Sequence, residues 1–201
     1  MLERKRGKIL RNEKGFSIPE LMVVLLVASI ILVLALPQMI SSRRLMKFAS
    51  IQRQFASSLT EARQEAMSQR RTVTFRYDNS LKKITIHGGS FGGFGDAKNK
   101  SFDLTGSGIS ANEIIYGRPS GAPTSALGDT TNLTALVANV ISITFQPDGS
   151  VINASNNPEN KAFFFYNSNY ANDTAFAVSV LGAGGRVKVW RYNYTSNQYV
   201  E

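Results

Sequence analysis

Between Lys14 and Pro37 the chain reads KGFSIPELMVVLLVASIILVLALP, and the apolar run that starts at Phe16 constrains everything after it. About 20 helical residues rising roughly 1.5 Å each cover the hydrocarbon core of a bilayer, so this stretch is long enough to cross one. One carboxylate, Glu20, stands inside the run. Lipid penalises an unpaired charge, which makes an intramembrane acid a candidate functional residue.

Charge sets the expected orientation. Of the formal +9 on 201 residues, positions 1–15 hold +4, from Arg4, Lys5, Arg6, Lys8, Arg11 and Lys14 against Glu3 and Glu13. The positive-inside rule then keeps the N-terminus in the cytoplasm and sends the C-terminal bulk outward. The remaining +5 is mildly basic and by itself predicts no nucleic-acid partner. There are no cysteines, which excludes disulfides, thiolate catalysis and cysteine metal sites. Packing has to supply the stability.

Three readings of the N-terminus compete. A secretory signal has an apolar core of about 7–15 residues and a small-residue cleavage site, but this run is longer and ends in Leu36, Pro37 and Gln38. A plain signal anchor accounts for length and charge and leaves Glu20 unexplained. The third reading starts from Lys14, Gly15, Phe16, Ser17, Ile18, Pro19, Glu20 and Leu21, which resemble the processing site of type IV prepilins and type II secretion pseudopilins. That resemblance implies cleavage after Gly15 by a prepilin peptidase and N-methylation of Phe16. Glu20 becomes the fifth residue of the mature chain and pairs with the Phe16 amine of a neighbouring subunit. Two buried charges would thereby satisfy each other. Pro37 falls where many members of the superfamily carry a kinking proline, and Pro19, in a first helical turn, has no intrahelical N–H bond to lose.

Residues 38–70 contain no Gly or Pro, and Phe48, Ile51, Phe55, Leu59, Ala62 and Ala66 recur at steps of three and four. The spacing predicts an amphipathic helix that continues the membrane segment, roughly 80 Å from 16 to 70 at helical rise. Arg43, Arg44 and Lys47 read as a solvated cluster facing lipid headgroups. From Arg71 the period changes to two. Val73, Phe75 and Tyr77 alternate with polar residues, Asp78 to Ser80 make a turn, and Ile84 and Ile86 resume the alternation, predicting a hairpin. Further strands are expected at Phe102–Leu104, Glu113–Tyr116, Val140–Phe145, Lys161–Tyr166, Thr174–Leu181 and Arg186–Tyr192, seven or eight in all. Residues 87–100, with Phe91 and Phe94, read as a glycine-rich loop, as do 105–112 and 117–134 as loops. Gln146 to Ser150 has the composition of a hairpin turn in which Gly149 takes positive φ.

The long helix, the early hairpin, the F-x-P-D-G-S turn (Phe145–Ser150) and the terminal G-R-V-K-V-W-R strand (Gly185–Arg191) resemble the GspH/FimT family of minor pseudopilins and minor pilins. The resemblance implies an α+β fold: a transmembrane and amphipathic helix followed by an antiparallel β-sandwich. Its parts are a cleaved leader at 1–15, a membrane segment at 16–37, its helical continuation at 38–70 and a globular β domain at 71–201. It further implies a structural subunit near the tip of a type II secretion pseudopilus, anchored in the inner membrane with its C-terminal domain in the periplasm. The implied partners are prepilin peptidase, other pseudopilins or minor pilins, and secreted cargo. The alternative is a FimT-like minor pilin that serves pilus assembly or DNA uptake.

Catalytic and metal readings find little support in the residues. His87 is the only histidine and no cysteine accompanies it, so the usual zinc set cannot form. No nucleophile-elbow context surrounds it. The Gly88–Gly95 loop lacks the Lys-Ser/Thr ending of a phosphate-binding loop. Neither enzyme activity nor a cofactor is expected. The N-x-S/T triplets at Asn132, Asn153, Asn172 and Asn193 receive no role. The one serious second site is the last strand, where alternation puts Arg186, Lys188, Trp190 and Tyr192 on one face. Cations beside aromatics suit phosphate contacts with base stacking. FimT-like minor pilins that take up DNA use a G-R-x-R motif, matched here by Gly185 and Arg186, with Lys188 in place of the second arginine. Lysine keeps the charge and loses the bidentate fork. Arg186, Lys188, Trp190 and Arg191 are therefore the candidate DNA contacts.

Overall fold

A computed structural model describes residues 15–88, 99–107, 109–153 and 155–201, with positions 37, 38, 40, 41, 106 and 107 described by their backbone alone. The leader up to Lys14, the Pro37 side chain, and Phe91 and Phe94 of the glycine-rich loop lie outside the described residues. The chain divides into two units, Met1–Ser42 and Arg43–Glu201.

In the first unit, helix α1 (Ile18–Gln69) begins with Pro19 at its second residue and Glu20 in its first turn. Neither opposes the helix: the first-turn N–H that proline lacks has no intrahelical acceptor, and the dipole favours an acid at this end. The Leu21 amide donates to the Ser17 carbonyl at 3.1 Å, closing the first turn. From Ile18 to Leu36 the helix is apolar, unburied within the chain, and long enough to cross a membrane.

In the second unit, the predicted stripe on α1 is the spine of the core. Phe48 is 3% exposed, and Ile51, Phe55, Leu59, Ala62 and Ala66 are fully buried. Two antiparallel sheets receive it. The first has the order β3-β2-β1-β5, built from β1 (Val73–Asp78), β2 (Lys83–Gly88), β3 (Lys100–Asp103) and β5 (Val140–Phe145). The second has the order β4-β6-β7-β8-β9, built from β4 (Ile114–Tyr116), β6 (Lys161–Asn167), β7 (Phe176–Leu181), β8 (Arg186–Asn193) and β9 (Gln198–Val200). The Phe55 ring meets Phe75 at 5.4 Å and Tyr77 at 5.7 Å on the first sheet. On the second it meets Phe163 at 4.8 Å and Phe165 at 5.0 Å. One helical side chain thus joins both sheets into a single core. These ring pairs add about 0.5–1.5 kcal/mol each to the area they bury.

The predicted hairpin forms with Phe75 opposite Ile86 and Tyr77 opposite Ile84. Four details differ from the sequence pattern. The strand expected at Phe102–Leu104 lies at Lys100–Asp103, because Leu104 turns into a 3-10 helix and is fully buried. The strand expected from Thr174 starts at Phe176, after the one-turn helix α2 (Ala171–Thr174). Strand β9 was not expected at all. Asn193 Oδ1 accepts the Thr195 and Ser196 amides, and Asn197 takes φ 50°, so a polar turn brings Gln198–Val200 back against β8. Finally, the Gln146–Ser150 turn returns only as the single bridge Phe145–Val151 before the Val151 amide donates to the Gly182 carbonyl in the other sheet.

That turn is held by Asp148, whose Oδ1 accepts the Ser150 hydroxyl at 2.6 Å and the Ser150 amide at 2.9 Å. The hydroxyl and then the amide keep its carboxyl below the usual aspartate range. A depressed carboxyl contributes stability above its unfolded pKa and loses it as pH falls through the lower, folded value. Asp148→Asn is therefore expected to remove part of the stability present at neutral pH and to flatten its acid dependence, measured by urea unfolding across the carboxylate range in detergent. In the same assay Phe55→Ala is expected to cost about 3–5 kcal/mol. Leu81→Ala, at a side chain 65% exposed, stays within about 0.5 kcal/mol of the parent.

Candidate functional site

The N-terminal candidates lie together at the start of α1. Phe16 is 75% exposed and Glu20, one turn on, is exposed. A Cβ placed on Gly15 would touch nothing within 4 Å, so the chain's own fold does not require glycine there. Such a demand would come from whatever acts on the Gly15–Phe16 bond, and a protease approaching the backbone closely is one agent that makes it.

Strand β8 does not present the row expected of Arg186–Tyr192. Trp190 is 5% exposed and packs with Leu127, Ala162, Phe164 and Ala177 in a second cluster on the far face of its sheet. Its Nε1 donates to Ser179 Oγ at 2.9 Å, and the Ser179 hydroxyl donates to Asp129 Oδ2 at 2.5 Å. The cover is the 117–134 segment, whose Thr134 amide donates to the Ala162 carbonyl and whose Thr134 Oγ1 accepts the Ala162 amide, each at 2.9 Å. Tyr116 donates to the Thr134 carbonyl at 2.6 Å, and the Arg118 guanidinium lies over the Phe164 ring, 4.4 Å from its centre. A ring so enclosed offers no open face for base stacking.

Lys188 shares that face, 5.3 Å from the Trp190 ring centre, and its Nζ pairs with Glu201 at 2.5 Å. Arg186 is exposed. Arg191 is exposed too, but strand alternation puts it on the opposite face, where it lines a cleft with Leu45 and Met46. The four candidate DNA contacts therefore do not form one surface. A signal for this was present in the sequence: the unbroken apolar run Ala162–Phe165 on β6 belongs to a sheet covered on both faces.

Gly185 has a structural account of its own. Its φ is +58°, and a Cβ there would fall 1.9 Å from the Gly149 carbonyl oxygen and 3.0 Å from Arg63 Cδ and Nε. The F-x-P-D-G-S turn and the G-R strand start thus meet over Arg63 of α1, and glycine at 185 permits the contact.

His87, on β2, is 9% exposed and bonds through Nδ1 to the Asn99 side chain. The described residues hold no group of three or more metal-ligating side chains. Asn153 Oδ1, from one of the N-x-S/T triplets, accepts the Ser155 and Asn157 amides and shapes a turn.

A prepilin-like start, an exposed apolar helix that can anchor the chain in a membrane, and an α+β domain of antiparallel sheets built on that helix define a pilin-like structural subunit. Residues 10–36 match the prokaryotic N-terminal methylation motif, and residues 52–184, more than half of the chain, match the type II transport protein GspH. The chain belongs to the GspH family, and it is a minor pseudopilin. Membership implies processing by prepilin peptidase and assembly with other pilin-like subunits. Among solved structures, it is similar to two crystal structures of the type IV minor pilin FimU from Pseudomonas aeruginosa strain PAO1. One is 18% identical, with a TM-score of 0.48, covering 77% of this chain and 92% of that one. The other is 17% identical, with a TM-score of 0.46, covering 76% and 97%. No curated protein sequence matches the chain.

Two measurements check this geometry. Trp190, the single tryptophan, is expected to emit at short wavelength, to be quenched weakly by acrylamide, and to be unaffected by single-stranded DNA. Gly185→Ala is expected to lower stability by about 2 kcal/mol or more through left-handed strain and the clash with Gly149.

Proposed function

We propose that this minor pseudopilin is inserted in the inner membrane with its N-terminus in the cytoplasm, cleaved after Gly15, methylated on Phe16, and drawn into a short periplasmic filament near its tip. The observation that carries the reading is Ile18–Leu36, apolar and nowhere buried within the chain, with Glu20 as the one carboxylate inside it. Lipid covers the apolar surface before assembly and neighbouring helices cover it afterwards. The carboxylate has no such apolar solution. Pairing it with the Phe16 amine of a neighbour neutralises two charges at once and favours a subunit set at one axial position. The globular unit then meets other minor subunits or secreted cargo.

The alternative, DNA uptake at a pilus tip, retains the exposed Arg186 but loses the stacking ring at Trp190. A mobility shift separates the two: salt-sensitive DNA binding abolished by Arg186→Ala with Lys188→Ala supports uptake, and no shift at low salt supports the secretion role.

Gly15→Leu is expected to leave the chain at precursor size on a denaturing gel, and normal cleavage would sink the prepilin reading. Glu20→Ala and Glu20→Val are expected to be cleaved and membrane-bound, yet to lose the crosslinks to other pilin-like subunits that the parent chain gives in intact cells.

A further inference from the structure

The segment that closes over Trp190 also forms one wall of a groove that the sites above do not use. Between residues 120–128 and the β8–β9 hairpin lie two cavities, consecutive along both walls. The larger, about 590 Å³, is lined by Ser120, Gly121, Tyr192, Tyr194, Thr195 and Asn197. The smaller, about 210 Å³, has Pro123, Ser125, Leu127, Gln198 and Tyr199 in its lining. The walls are held in place by their own contacts. The Arg118 guanidinium donates to the Pro123 carbonyl, and to that of Ser125 at 2.8 Å. Tyr192 Oη donates to Asn197 Oδ1 at 2.7 Å, its ring stands 5.2 Å from that of Tyr199, and the Tyr199 ring meets Phe164 T-shaped at 5.1 Å. Tyr194 is 64% exposed.

Composition decides the class of ligand. Among the described residues neither lining contains an Asp, Glu, Lys or Arg, although 18% of the chain is charged. A nucleic acid or another polyanion needs cations beside its charges, and this groove has none to offer. An extended peptide is held through its backbone along a strand edge, whereas the groups gathered here are side-chain rings, hydroxyls and amides. A pyranose ring has the matching surface. Its C–H face, partly positive, meets the negative face of an aromatic ring, and its rim of hydroxyls both donates and accepts, as do the side chains of Ser120, Ser125, Thr195 and Gln198. Tyrosine presents such a flat surface at low cost in conformational entropy.

We propose that this groove binds a neutral oligosaccharide, with sugar rings stacked on the tyrosines of the larger cavity and hydroxyls bonded to the uncharged polar side chains of both. The site goes beyond the pseudopilin reading. It belongs to the globular unit and holds whether or not the subunit enters a filament, and it adds a carbohydrate contact to the protein contacts proposed above.

The test titrates the full-length chain, in a detergent without a sugar headgroup, with cellohexaose, maltohexaose and chitohexaose by isothermal calorimetry. Binding of at least one of the three is expected, with an affinity that added salt leaves unchanged, as befits an uncharged site. Tyr194→Ala is expected to weaken it by about tenfold or more, and Tyr194→Phe, which keeps the ring, by no more than about threefold. Because Tyr194 is exposed, both variants are expected to unfold at the urea midpoint of the parent, which separates a lost contact from a lost fold. Leu81→Ala, away from the groove, is expected to bind as the parent does. Saturation-transfer NMR is expected to show the sugar C–H protons closest to the protein. No heat from any of the three at about 10 mM overturns the proposal. So does binding indifferent to Tyr194→Ala, equal loss in Leu81→Ala, an affinity that salt abolishes, or equal competition by an uncharged hexapeptide of Ser, Asn and Gly.

Discussion

Phe55 is the contact on which the second unit depends. A helix stripe and two sheets each have an apolar surface to bury, and a sheet alone cannot cover a helix that touches it along one line. The Phe55 ring is within 6 Å of four rings, two from each sheet. Phe75 meets Phe163 at 5.9 Å and Tyr77 meets Phe165 at 5.2 Å, so the sheets close directly on each other around that ring.

Burial on the other face of the second sheet changes the meaning of the C-terminal strand. Alternation is a sound guide to which side chains share a face, and Lys188 and Trp190 do share one. It says nothing about what lies above that face. The 117–134 segment, irregular and read from sequence as a surface loop, is fastened to β6 through Thr134 and Ala162 and closes over Trp190. A segment far away in sequence thereby turns a candidate binding row into a polar network of Trp190, Ser179 and Asp129. The two glycine-containing motifs show the same effect, since Gly149 and Gly185 are 36 positions apart and meet at one carbonyl oxygen.

Much of the fold was legible because its signals are local and repeated. The six apolar residues from Phe48 to Ala66 predict their own burial, and β5 runs over the expected Val140–Phe145. Signals failed where a short element depends on a partner. Three-residue β9 exists because β8 offers it an edge, and Gln198–Val200 has too little alternation to announce itself. Gln52 is a polar residue beside an apolar stripe, and nothing in its neighbours shows that its amide would be buried without an acceptor.

The sequence by itself carried the class of subunit through the resemblance of its G-F-S-x-x-E start to prepilins, while peptide geometry and the cost of charge in lipid gave a helix of membrane length with one acid to be explained. Tertiary structure decided which surfaces are available. It enclosed Trp190, paired Lys188 with Glu201, set Arg191 at a cleft with Leu45 and Met46, and left the Gln52 amide buried with an unmet hydrogen bond. Exposure depends on what packs from elsewhere in the chain: the apolar run on β6 signals that its sheet is covered on both faces, but the alternation along β8 does not name the segment that covers Trp190.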